Sequence, residues 1–172
     1  MQKFDFIRRK SVQIFKKYGY QEILGNILEH EELFQRSLGE TSEIIQKVTL
    51  ILINHINFKQ EMYRFQDLSE RKLVLRPEGT AGIARMFIEK GMGATTLPKK
   101  YFYCGPMYRY EKPQKGRLRQ FYQLGVENIG SADTFSDVEL LAMTDSLMSS
   151  LKKKKNFYKV RLFQSFSLES KR

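Results

Sequence analysis

A chain of 172 residues has room for one domain with a core of its own. Its single cysteine, Cys104, excludes a disulfide framework and a thiolate metal site, and no apolar run is long enough to cross a membrane. The formal net charge of +11 favours a polyanionic partner and is silent on fold.

Taken in chain order, Phe4, Ile7, Ser11, Ile14, Phe15 and Tyr18 recur at helical spacing. They predict a domain helix over 5–17 rather than a cleaved leader, with Gly19 as a left-handed cap. A strand is expected over 21–23, then a short helix over 31–38 stopped by Gly39. Residues 61–65 and 72–75 alternate like the arms of a hairpin across a polar turn at 67–71. A helix over 80–90 follows the bend Arg76-Pro77-Glu78-Gly79 and ends at Gly91 and Gly93. Two long strands come next. The last helix spans 133–151, with Thr134 or Ser136 as its cap and Asp137 and Glu139 suited to its N-terminal dipole. Hairpin strands with helices between them predict an α+β fold, a mostly antiparallel sheet flanked by helices. His30 and His55 lack ligand spacing and read as structural or exposed. Cys104 reads as a small apolar residue in a buried strand. No metal-binding residue is assigned.

Residues 101–127 carry the most chemistry. The first strand is aromatic up to Tyr110, Pro113 and Gly116 break it, and pairing resumes near Arg119. Side chains alternate along a strand, so Arg119, Phe121, Gln123, Gly125 and Glu127 share one face. Tyr122, Leu124 and Val126 share the other, an ordinary core face. The first set offers a cation, a flat ring, an amide, a gap and a carboxylate. Arg109 and Arg117 are planar forks suited to phosphate oxygens, Phe121 offers a ring on which a base can stack, and Gln123 and Glu127 can accept from an ammonium or an imidazole N–H. From residue chemistry alone, a solvated basic hairpin is an equally good reading. Between residues 99 and 120 the basic side chains are Lys99, Lys100, Arg109, Lys112, Lys115, Arg117 and Arg119, against Glu111 alone. A second cluster, Lys152 to Lys155 followed by Lys159 and Arg161, reads as a solvated helix end rather than an RNA site.

Residues 108–121, Tyr-Arg-Tyr-Glu-Lys-Pro-Gln-Lys-Gly-Arg-Leu-Arg-Gln-Phe, resemble motif 2 of class II aminoacyl-tRNA synthetases, and more narrowly that of bacterial-type histidyl-tRNA synthetases. Leu75-Arg76-Pro77-Glu78-Gly79-Thr80-Ala81-Gly82 resembles that family's histidine-binding turn, and Lys17-Tyr18-Gly19-Tyr20-Gln21-Glu22-Ile23 resembles the start of motif 1. The resemblance implies that residues 1–151 are the N-terminal part of a class II catalytic domain and that 152–172 form an incomplete basic tail. It implies a histidine–tRNA ligase that activates histidine with ATP and Mg²⁺ and passes it to tRNA, as a homodimer through motif 1. By match to the motifs, the catalytic residue is Arg109, on the α-phosphate and the carboxylate. Glu111 faces the adenine side, Arg117 reaches the β- and γ-phosphates, and Phe121 stacks on adenine. Glu78 and Thr80 take the histidine ammonium, Gln123 holds the histidine or the phosphate, and Glu127 accepts from the imidazole.

Three features depart from the family. Asn26 stands at the position of the motif 1 proline, which restores a backbone N–H, frees φ and puts the dimer geometry in question. Residues 48–60 read as an insertion, with the β-prone run Val48-Thr49-Leu50-Ile51-Leu52-Ile53; valine codons begin with GT and one glutamine codon ends in AG, so a block from Val48 to Gln60 is what a translated short intron would give. The glycine-rich motif 3, with its arginine, and the anticodon-binding domain have no match, so a truncated form inactive alone is expected. The rival function is a non-catalytic synthetase-like paralogue regulating ATP phosphoribosyltransferase. Such paralogues tend to lose the motif 2 loop signature, whereas Arg109, Glu111, Arg117, Arg119, Gln120 and Phe121 are all here. A cytoplasmic location is expected, with a mitochondrion or plastid as the alternative.

Overall fold

The structure, a computed structural model, describes residues 2–36, 62–112, 114–131 and 133–151. The elements are α1 (Gln2–Lys17), β1 (Gln21–Glu22), β2 (Leu28–His30), α2 (Glu31–Arg36), β3 (Arg64–Gln66), β4 (Lys72–Leu75), α3 (Thr80–Glu89), a 3₁₀ turn at Met92–Ala94, β5 (Lys99–Tyr108), β6 (Gln120–Ile129) and α4 (Thr134–Ser150). They are helices and strands in the order expected of an α+β fold. The chain divides into two units, one of Met1–Ile23, Thr95–Phe102 and Val126–Arg172, the other of Leu24–Ala94 and Tyr103–Gly125. The block 48–60, His55, Gly39 and the lysine cluster from Lys152 lie outside the described residues.

In the first unit the helical periodicity of α1 buries Ser11 and Phe15. Ile7, at the edge of that stripe near the helix start, is 41 % exposed, which corrects its expected inward position. Gly19 ends the helix at φ +80°, a conformation that favours glycine. Strand β1 pairs in parallel with β5, Gln21 opposite Tyr101 and Glu22 opposite Phe102. Phe102 is fully buried and meets Phe15 edge-on with ring centroids 5.3 Å apart; burying such a ring contributes about 1.5–3 kcal/mol. Helix α4 adds Met143 and Leu147 to the buried set and meets α1 where Tyr18 Oη and Ser146 Oγ lie 3.3 Å apart. Its cap is neither Thr134 nor Ser136. Asp133 sits at the N-cap in extended conformation, and its carboxylate accepts the Phe135 N–H at 2.9 Å. The chain becomes helical one residue later than expected, so the acidic side chain falls where the free N–H groups point.

In the second unit β2, β4 and β3 form an antiparallel sheet in the order β2-β4-β3, with Glu29 opposite Val74 and Phe65 opposite Leu73. The expected β3–β4 hairpin forms, but its first arm starts at Arg64. Asp67 closes the turn by accepting the Ser69 and Arg71 N–H groups at 2.9 and 3.0 Å. Phe34, Met62 and Val74 make a core against which Leu33 and Ala81 pack. His30 is exposed. Glu29, buried in β2, pairs with Arg85 of α3 at 2.9 Å.

Candidate functional site

The bend between β4 and α3 is anchored by Arg76. Its Nε donates to the Pro106 carbonyl at 3.0 Å, and its Nη1 donates to the Gly25 and Asn26 carbonyls at 2.8 and 3.3 Å. Its main chain bonds Ile27 O at 2.9 Å and accepts the Tyr108 N–H at 3.0 Å. One guanidinium therefore ties the 25–27 segment, which carries Asn26, to the end of β5. Burial pulls its pKa below the ordinary value.

The next polar side chain, Glu78, turns back on the helix. Its two oxygens accept the N–H groups of Thr80 and, at 2.8 Å, Ala81. Gly79 occupies the N-cap and offers no side-chain acceptor, so the glutamate takes over the cap. Burial raises the Glu78 carboxyl above its ordinary 4.5, against the pull of these N–H groups, the Thr80 side chain and the charge of Arg109. Asn26, Glu29, Phe34, Arg76 and Glu78 line a cavity of about 10 Å³, the size of one water molecule.

Arg109, just past the end of β5, donates from Nε to the Pro77 carbonyl at 2.9 Å, and its guanidinium lies over the Phe121 ring at 4.8 Å. Glu111 is half-buried between two cations, 3.9 Å from Arg109 Nη1 and 3.6 Å from Arg117 Nε. The loop is closed at its base by the Arg109 N–H on Arg119 O at 2.9 Å, and it turns at Gly116 with φ +85°. Arg109, Glu111, Arg117 and Phe121 therefore meet in one cluster, and Arg109 links it to the Glu78 bend.

A residue without an assigned role organises the strands. Tyr103 of β5 is buried, and an ideal Cβ built on Gly79 or Gly125 would fall 2.4 or 2.2 Å from its ring. The ring fills the space that two missing side chains leave. Gln123 Nε2 donates to Tyr103 Oη at 3.2 Å, while Gln123 Oε1 is buried without a hydrogen-bond partner among the described residues. The signal available in the sequence was the pair Gly79 and Gly125, small residues that a bulky aromatic can complement.

Three expectations are corrected here. Arg119 does not join the Phe121 face; it lies in a bend before β6 begins, and its guanidinium stacks over Tyr110 at 4.5 Å. Strand alternation does not govern a residue outside the strand. Tyr122 is 55 % exposed rather than part of a core face; it lies on β6, the last strand of its sheet among the described residues. Cys104 is half-buried rather than buried. Glu127 lies further along β6, in the portion that belongs to the first unit. No group of three His, Cys, Asp or Glu side chains is placed to hold a metal ion among the described residues.

A family model described as histidyl-tRNA synthetase matches residues 1–163. The chain belongs to the histidyl-tRNA synthetase family. The histidine–tRNA ligase of Thermosipho melanesiensis is 47 % identical over 146 residues, 85 % of this chain and 32 % of that protein. That of Halothermothrix orenii is 46 % identical over 141 residues, 82 % of this chain and 30 % of that protein. The apo histidyl-tRNA synthetase of S. aureus superposes with TM-score 0.64 at 33 % identity, over 86 % of this chain and 30 % of that one. The pyrrolysyl-tRNA synthetase of Desulfitobacterium hafniense shares the fold, with TM-score 0.67 at 12 % identity over 88 % of this chain and 48 % of that one. The chain spans about a third of the length of the curated histidine–tRNA ligases it matches. No described helix is long and apolar enough to cross a membrane.

Proposed function

We propose that this chain carries the histidine- and ATP-binding part of a histidine–tRNA ligase. The observation that carries the reading is Arg109, which joins the Phe121 ring and the Pro77–Glu78 bend in one place within a chain of this family. ATP enters as its magnesium complex, the ion travelling on the nucleotide phosphates as part of the substrate. Phe121 gives the adenine a ring to stack on, Glu111 faces its polar edge, and Arg117 meets the outer phosphates. Glu78 and Thr80 take the histidine ammonium. The unmatched amide atom of Gln123 is an acceptor or donor awaiting a ligand, and Glu127 accepts from the imidazole.

The reaction is attack of the histidine carboxylate oxygen on the α-phosphorus. A bond forms there, the bond to the bridging oxygen breaks, and pyrophosphate leaves. No proton need move, so the protein contributes position and charge. Arg109, beside the α-phosphate, neutralises charge that grows in the transition state. Transfer to tRNA, a homodimer through the segment around Asn26 and cytoplasmic residence among bacterial-type relatives complete the reading. The non-catalytic alternative fits less well, because the motif 2 cations and Phe121 are assembled around Glu111 and Arg109.

Equilibrium dialysis of the purified chain at millimolar ligand tests the proposal. Histidine should bind in preference to alanine, Glu127→Ala should abolish the preference, and Glu78→Ala should weaken both ligands. Equal retention of histidine and alanine would overturn it.

A further inference from the structure

Two carboxylates, Glu29 and Glu78, line the same water-sized cavity, together with Gly82 from the first turn of α3. The ligand reading above uses only one of them. Glu78 caps the turn from the adjoining bend. Glu29 comes from β2, where it stands opposite Val74 of β4, and it meets the helix at two points. Its Oε1 accepts from Arg85 Nη2 at 2.9 Å. The same oxygen lies against Gly82, where an added Cβ would be 3.3 Å away. Arg85 is itself oriented from outside, with Nη1 on exposed Glu89 at 3.2 Å. Its Nε is buried without a hydrogen-bond partner among the described residues. A buried ion pair is often no more stabilising than apolar residues of the same volume, because desolvation offsets the attraction. What this pair supplies is direction. It ties α3 to β2 just beyond Thr80, while Arg76 ties the start of the bend to Gly25, Asn26 and Pro106.

We propose that Glu29, held by Arg85, is a positioning residue: it sets the first turn of α3 so that Glu78 and Thr80 meet a ligand ammonium in one geometry. The ammonium rests on the function proposed above; the setting of the turn does not. Glu29 touches no ligand and acts through the helix.

The probes are histidine and imidazole-propionate, the same molecule without its ammonium, titrated by NMR into the purified chain. Glu29→Gln should weaken histidine about tenfold and leave imidazole-propionate within about twofold of the parent. Amide exchange on the same samples reads the turn itself. The Thr80 and Ala81 N–H groups, held by Glu78, should exchange about tenfold faster relative to the Leu75 N–H, which bonds Tyr63 O at 3.1 Å. Gly82→Ala keeps both partners of the ion pair and favours the helix, but crowds the Glu29 carboxylate; it should show a smaller loss of the same kind. A Glu29→Gln variant that matches the parent overturns the proposal, as does a parent-like Gly82→Ala where Glu29→Gln does not fold. Equal weakening of both ligands, with all three amides accelerated together, is a general loss of structure and overturns it too. Selective loss of histidine without faster Thr80 and Ala81 exchange would make the effect one of charge and overturn the positioning. A parent that does not distinguish the two ligands sinks the proposed function, and the exchange rates alone then decide whether Glu29 sets the turn.

Discussion

Gly125 and Tyr103 are complementary in a strict sense: a Cβ added to the glycine would lie 2.2 Å from the Cζ of the tyrosine ring. The ring is buried and its hydroxyl is bonded by Gln123, so it has little room to yield. Gly125→Ala should therefore cost about 1–3 kcal/mol of stability through overpacking. Chemical denaturation would measure this. Because the ring also orients Gln123, histidine binding should fall with it, and Tyr103→Phe in the same background should not restore it. A neutral Gly125→Ala would mean that the strands part more readily than their packing implies.

Arg76 bonds three carbonyls with one rigid fork. Arg76→Ala would leave the Pro106 and Gly25 carbonyls without this donor, an expected loss of about 2–3 kcal/mol. Arg76→Lys should recover little, since one ammonium cannot reproduce a planar fork pointing at two segments. Urea denaturation of both variants checks this, and a lysine variant as stable as the parent would contradict it.

The helix cap shows where sequence reasoning loses precision. The capping and acidic residues at the start of α4 made its existence legible, but the first helical residue depends on local backbone geometry that those residue types do not fix. Asp133→Ala should cost about 1 kcal/mol and Thr134→Ala nearly nothing, by thermal denaturation. The same division holds at the site. Arg109, Glu111, Arg117 and Phe121 lie close together along one hairpin, so one motif carried them all. Tyr103 and Arg76 act across long sequence separations, through shape and through carbonyls, so their partners are not adjacent along the chain. Arg119 was misplaced because alternation was extended one residue beyond the strand that enforces it.

Glu29 makes stability depend on pH. Burial raises its carboxyl above the ordinary 4.5; Arg85 and His30 pull it down, and Glu89 pushes it further up. With the folded value above the unfolded one, the folded state holds more protons in the interval between them. Stability therefore falls as pH rises from the unfolded value through the folded one. Glu29→Gln removes that titration together with the ion pair to Arg85. The stability of the variant relative to the parent should thus improve as pH rises from the ordinary carboxylate value through the raised one. Urea midpoints across that range would show it, and a gap that widens against the variant would reverse the sign assigned to burial.

Arg109 and Phe121 should contribute separably to nucleotide binding. In the free chain the guanidinium already lies over the ring, 4.8 Å from its centroid, and its Nε is held by Pro77 O at 2.9 Å. ATP arriving at this cluster keeps the arginine near its phosphates and offers adenine to the ring. Phe121→Leu removes the stacking face while keeping bulk, and should weaken ATP binding by about 1–3 kcal/mol. Arg109→Ala removes the charge and also frees the ring, so it should weaken ATP binding and leave adenosine, which has no phosphates, unaffected or slightly improved. The parent is expected to bind ATP in the millimolar range, on the order of −4 kcal/mol, so the titrations call for NMR rather than calorimetry. Adenosine binding that drops as far as ATP binding in Arg109→Ala would show that the arginine supports the ring rather than the phosphates, and the role assigned to it would have to be given up.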